Sequence, residues 1–175
     1  MGMYKYISKI WNKKENSSLN KQRYIQWRKQ PAAVKIERPT RIDKARRLGY
    51  KAKQGFAVVR GRIKKGRRKR RNIARGRRPK RYGIYFTTTR NLQATLEQRL
   101  SKRYPNLQVL NSYEVGDDGK HKWFEVIMVD PNHPAIQKDK DVRWVSETPT
   151  RGRSERGLTS ASKRSRNARR KKVKK

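Results

Sequence analysis

The sequence predicts an α+β fold: a small antiparallel sheet packed with helices, plus long basic extensions. Three observations carry that expectation. Residues 88–104 (TTRNLQATLEQRLSKRY) place Leu92, Leu96 and Leu100 at i, i+4 and i+8, the period of an amphipathic helix. Leu107–Val115 and Lys122–Asp130 (KWFEVIMVD) flank Gly116-Asp117-Asp118-Gly119, which reads as a β-hairpin. The charge is segregated: of a net +38, residues 97–147 carry −1, residues 1–43 carry +8, 44–96 carry +20 and 148–175 carry +11.

The elements follow in chain order. Tyr4, Ile7, Ile10 and Trp11 share one helical face, and Leu19–Trp27 continue a second helical pattern that ends at Pro31. Asp43 is placed to cap a short basic helix, Lys44–Leu48, closed by Gly49. Phe56–Ile63 (FAVVRGRI) is rich in β-branched residues and joins the sheet of the hairpin. The main helix has Thr88 or Thr89 as its cap and stops at Pro105. Leu107, Val109, Tyr113 and Val115 fall on one face of the next strand, and the turn after it has residues that tolerate positive φ. The expected organisation is a helical basic region over 1–50, an α+β core over 51–147 with a basic insertion at 60–81, and a basic tail over 148–175.

A chain of 175 residues with 51 Lys and Arg, 13 Asp and Glu and 32% hydrophobic residues repels itself in every compact state and calls for a polyanion. With no Cys there is no disulfide framework, thiolate nucleophile or Cys-based zinc site. Its longest strongly apolar run, Val126–Val129, is far short of the ~20 residues that span a bilayer, so no membrane partner is expected. Residues 44–96 hold no carboxylate, which implies that only an external anion can neutralise them.

Arg60–Arg81 (RGRIKKGRRKRRNIARGRRPKR) has 14 basic residues of 22, interrupted by Gly61, Gly66 and Gly76. Guanidinium forks bind phosphate bidentately and stack on bases, and glycine permits close backbone approach. The segment therefore suits threading between nucleic-acid helices, with Arg60, Arg62, Lys64, Lys65, Arg67, Arg68, Lys69, Arg70, Arg71, Arg75, Arg77, Arg78, Lys80 and Arg81 as contacts. Among the aromatics, Trp123, Phe124 and Tyr113 read as core, whereas Tyr50, Tyr82 and Trp27 lie among cations and are placed to face a base.

Catalysis finds little support. His121 and His133 lack metal-ligand spacing and read as solvent-facing or capping residues, and Asp117 and Asp118 read as turn residues. There is no phosphate loop, dinucleotide fingerprint or nucleophile elbow, so neither an enzyme nor a cofactor, metal or small-molecule substrate is expected.

The run Arg38–Gly55 (RPTRIDKARRLGYKAKQG), the hairpin words LNSYEVG and KWFEVIMVDPNHPAI, and RGLTSASKRSR (Arg156–Arg166) resemble, in order, the e-type large-subunit ribosomal protein fifteen family of archaea and eukaryotes. YKYISKIW near the N-terminus fits as well, while Asn167 departs from the family's glycine and the short RRKKVKK end is archaeal-like. The resemblance implies a non-enzymatic protein of the cytoplasmic ribosome, binding large-subunit, 23S-type rRNA beside neighbouring ribosomal proteins. It implies rRNA contacts at Arg38, Arg41, Lys44, Arg46, Arg47, Lys51 and Lys53, and at Arg156, Lys163, Arg164 and Arg166.

Two competing readings are a DNA-compacting, chromatin-like protein and a basic RNA-processing enzyme. The sequence has no helix-turn-helix or zinc-finger pattern for the first and no paired base and nucleophile for the second. Without RNA, the free chain is expected to fold only around 84–145, with 60–81 and 151–175 disordered.

Overall fold

The computed structural model describes residues 2–11, 17–71, 75–81, 83–86, 88–147 and 150–173. Tyr82 and the side chains of Arg68 and Arg81 lie outside what is described. The architecture is α+β. Helices α1 (Met3–Trp11) and α2 (Ser17–Lys29) precede strand β1 (Ala33–Ile36) and helix α3 (Ile42–Arg47). Strand β2 (Phe56–Lys64) is followed by a two-stranded ribbon of β3 (Arg68–Lys69) and β4 (Tyr85–Phe86). Helix α4 (Leu92–Arg103), the hairpin β5 (Gln108–Asp117) and β6 (His121–Val129), the short α5 (Pro134–Gln137) and the C-terminal α6 (Ser160–Val173) complete the chain.

The main sheet is antiparallel in the order β1-β2-β6-β5, so the most apolar strand is central. Its two faces bury different clusters. Leu96 and Leu100 of α4 cover Val59, Ile63, Val109, Phe124, Val126 and Met128 on one face. Trp27 of α2 and Ala45 of α3 cover Tyr113, Val115, Trp123 and Ile127 on the other. Each fully buried aliphatic side chain contributes about 1.5–3 kcal/mol. Ile136, Val142 and Val145 close the end of the sheet at Val129.

The helix at 92–103, the hairpin and β2 stand where the periodicity puts them, while several details differ for identifiable reasons. The cap of α4 is Asn91, whose side-chain oxygen accepts from the Ala94 amide at 2.7 Å, and not Thr88 or Thr89. Asp43 does not cap α3; it lies inside the first turn, buried, accepting from the Arg41 guanidinium at 3.1 Å. Leu107 and Val109 do not share a face with Tyr113 and Val115. Leu110 is an extra residue between the pairs Val109↔Met128 and Asn111↔Ile127, and this bulge inverts the alternation beyond it.

Neither turn glycine needs positive φ. Gly116 is instead required by space: a Cβ there would lie 2.4 Å from Cε1 of Tyr24. Gly61 likewise serves the core rather than RNA threading, because a Cβ would meet Leu96 at 2.7 Å. Packing also reaches further than 84–145. Arg60–Lys64 pair in register with His121–Glu125, and Ser154, Thr159, Ala161 and Ser162 are buried.

Candidate nucleic-acid interface

Two of the basic runs, Arg38–Gly55 and Arg156–Arg166, far apart in the chain, converge on the edge strand β5. Helices α3 and α6 both touch it. Between them opens a cleft of about 550 Å³ lined by Arg41, Lys44 and Arg47 from the first run, Arg164 from the second, and Trp11 and Tyr24 from α1 and α2. Two buried carboxylates anchor these runs. Glu125 of β6 accepts from the Thr40 amide at 3.0 Å, from the Thr40 hydroxyl and from the Tyr113 hydroxyl. Glu97 of α4 accepts from the Ser112 hydroxyl and, at 2.6 Å, from the Thr159 hydroxyl. Burial raises both carboxyl pKa values, opposed by the hydroxyl donors, and it also raises that of the Tyr113 phenol beside Glu125.

These glutamates were not singled out from sequence as functional. For Glu125 the signal exists: a carboxylate inside WFEVIMV is buried and must be supplied with donors. Arg153 is a second omission. Its guanidinium covers the sheet edge, donating to the Val109 and Leu110 carbonyls at 3.2 and 3.3 Å, and lies 4.5 Å from the Trp144 ring centre.

The predicted contacts fall into three groups. Arg38, Lys44, Arg46, Arg47, Lys64, Arg67, Lys69, Arg71, Arg75, Arg77, Arg78, Lys80, Arg156, Lys163, Arg164 and Arg166 are exposed. Tyr50, Arg62 and Arg70 are half-buried: Tyr50 is edge-on to Phe56, Arg62 donates to the Arg28 carbonyl at 2.6 Å, and Arg70 donates to the Lys80 carbonyl at 3.4 Å.

The third group is engaged within the protein: Arg41 is buried and binds Asp43 at 3.1 Å. Lys51 binds Asp139 and Asp141 at 2.8 and 2.7 Å, Lys53 also binds Asp139, and Lys65 binds Asp117 at 2.7 Å. Carboxylates outside residues 44–96 thus neutralise part of that segment, and an external anion is not its sole source of compensation. The two lysines hold Asp139 well below the usual carboxylate range, and Asp139 and Asp141 in turn raise Lys51. Arg60 lies 4.4 Å from the Trp27 ring centre and bonds Gln30 at 2.8 Å; burial lowers its pKa. Trp27 is 6% exposed and faces the core rather than a base.

His133 caps α5, its Nδ1 accepting from the Ala135 amide at 3.2 Å. Among the described residues no group of three His, Asp or Glu side chains could hold a metal ion.

An antiparallel sheet and helices with basic side chains gathered around a polar cleft define a basic α+β scaffold. Residues 2–175 match the family model described as Ribosomal L15. Over 172 residues the chain is 48% identical to the large ribosomal subunit protein eL15 of Methanocella arvoryzae, covering 96% of this chain and 88% of that one. The chain belongs to this family of ribosomal proteins, which is structural and not enzymatic. Membership gives the DNA-compacting reading no support and sets aside the RNA-processing enzyme.

Proposed function

We propose that the protein stabilises folded large-subunit rRNA in the cytoplasmic ribosome by neutralising phosphates where RNA segments approach one another. The observation that carries this is the division of its cations. Among the described residues some are engaged by the protein's own carboxylates, while Lys44, Arg46, Arg47, Arg67, Lys69, Arg71, Arg75 and Arg77 are exposed. Exposed arginines bind phosphate without first breaking internal ion pairs. The relative's name places it in the large ribosomal subunit, and the same assembly, with neighbouring ribosomal proteins, is the site of action here.

The test is co-sedimentation with large subunits over a salt series, together with rRNA affinity at each salt concentration. Each phosphate neutralised adds about −0.9 to the slope of log affinity against log salt on a duplex, or about −0.7 on a single strand. Absence from the large-subunit peak at moderate salt would overturn the proposal.

A further inference from the structure

Resting on the rRNA-binding reading, the geometry points to a defined subsite within it: the cleft beside β5 holds one unstacked nucleotide of the RNA. The volume of about 550 Å³ lies in the range of small-ligand pockets, which is ample for a single nucleotide and far too small for a duplex.

Its charge is asymmetric. Glu114 and Asp117 are in the lining, but Lys122 binds both, at 3.3 and 3.2 Å, and Lys65 binds Asp117 as well. Arg41 is paired with Asp43, although its Nε is buried without a partner. Lys44, Arg47 and Arg164 remain exposed; Arg164 donates to the Ser160 hydroxyl at 3.4 Å and lies within electrostatic reach of the buried Glu97. Three exposed cations converging on one cleft from α3 and α6 make a phosphate cradle.

The same lining also holds aromatic rings. Tyr24 stacks on Trp123 with ring centres 5.2 Å apart and planes 1° from parallel, so its ring is fixed by the core. Trp11 carries two guanidiniums, Arg41 at 4.9 Å and Arg23 at 5.3 Å from its ring centre. An immobilised aromatic ring in the same cleft as a phosphate cradle suits the two halves of a nucleotide, since every base offers a stacking face. An acidic peptide would use the cations and leave the rings without a role.

The test has two arms. Ultraviolet crosslinking of intact large subunits containing the protein, followed by peptide mass spectrometry, is expected to give a mononucleotide adduct on Trp11 or Tyr24. In parallel, rRNA affinity across salt is compared for the wild type, the triple variant Lys44→Ala/Arg47→Ala/Arg164→Ala and the control Arg67→Ala/Lys69→Ala/Arg71→Ala. All six positions are on the surface, so folding is retained. The cleft triple should lose about two units of slope and also the adduct at Trp11 or Tyr24, while the control loses slope and keeps that adduct. If subunits carry the protein with adducts only elsewhere and the cleft triple binds like the wild type, the nucleotide subsite is wrong while rRNA binding stands. If the protein never enters the subunit, the broader reading fails first.

Discussion

Thr159 donates its hydroxyl to the fully buried carboxylate of Glu97 at 2.6 Å, joining the C-terminal basic run to the helix that covers the sheet. Thr40 makes the equivalent link from the N-terminal run to Glu125 on the opposite face. Each run that supplies cations to the cleft is therefore held by a threonine on an internal glutamate. Thr159→Val keeps the shape and removes the donor, so it should cost about 1–3 kcal/mol, read as a lower urea midpoint. Hydrogen exchange at 157–166 should accelerate more than in β6; an unchanged midpoint would remove Glu97 as the anchor.

The two glutamates also set a pH dependence. Their folded pKa values are raised, chiefly by burial, so the native state takes up protons before the unfolded chain does. The associated stability is fully present below the unfolded glutamate pKa and is lost as pH rises through the folded values. Asp139 acts in the other direction: its stabilisation is present above the unfolded aspartate pKa and disappears as pH falls through its depressed value. Chemical denaturation should show stability declining from mildly acidic towards neutral pH, and this decline should be shallower in Glu97→Gln. Asp139→Asn should instead flatten only the acid limb. A wild type whose stability rises from mildly acidic to neutral pH would contradict the sign.

Gly116 and Gly119 flank the same hairpin turn but should respond differently to a methyl group. A Cβ at Gly116 would press into Tyr24, which is itself stacked on Trp123, whereas one at Gly119 meets nothing within 4 Å. Gly116→Ala should therefore cost about 1–3 kcal/mol through overpacking. Gly119→Ala should leave the thermal midpoint nearly unchanged, and equal effects at both positions would exclude the proposed close approach.

What could be seen in the sequence was whatever repeats with a regular period. Leu92, Leu96 and Leu100 announce α4, and the β-branched residues of Phe56–Ile63 announce β2. Strand β1 escaped notice because Ala33–Ile36 is four residues long and follows a proline. The face assignment of β5 failed at Leu110, since a one-residue bulge leaves no mark in composition. Charge counting placed the cations in the right segments but could not tell which face inward. Lys51, Lys53 and Lys65 find carboxylates roughly 50 to 90 residues away, and only the folded chain brings those partners together.

Arg60 and Arg67 separate the two roles that arginine plays within one basic run. The Arg60 guanidinium lies on Trp27, bonds Gln30 and faces the buried Glu125. Arg67 is exposed between β2 and β3. Arg60→Ala removes a cation–π contact worth up to about 2 kcal/mol when desolvated, along with the packing of its aliphatic stem. It should lower the urea midpoint while leaving the salt slope of rRNA binding near the wild-type value. Arg67→Ala should leave the midpoint unchanged and reduce the slope by about 0.7–0.9. Measuring both quantities on both variants decides the matter: a slope change for Arg60→Ala as large as that for Arg67→Ala would make Arg60 an RNA ligand rather than part of the core.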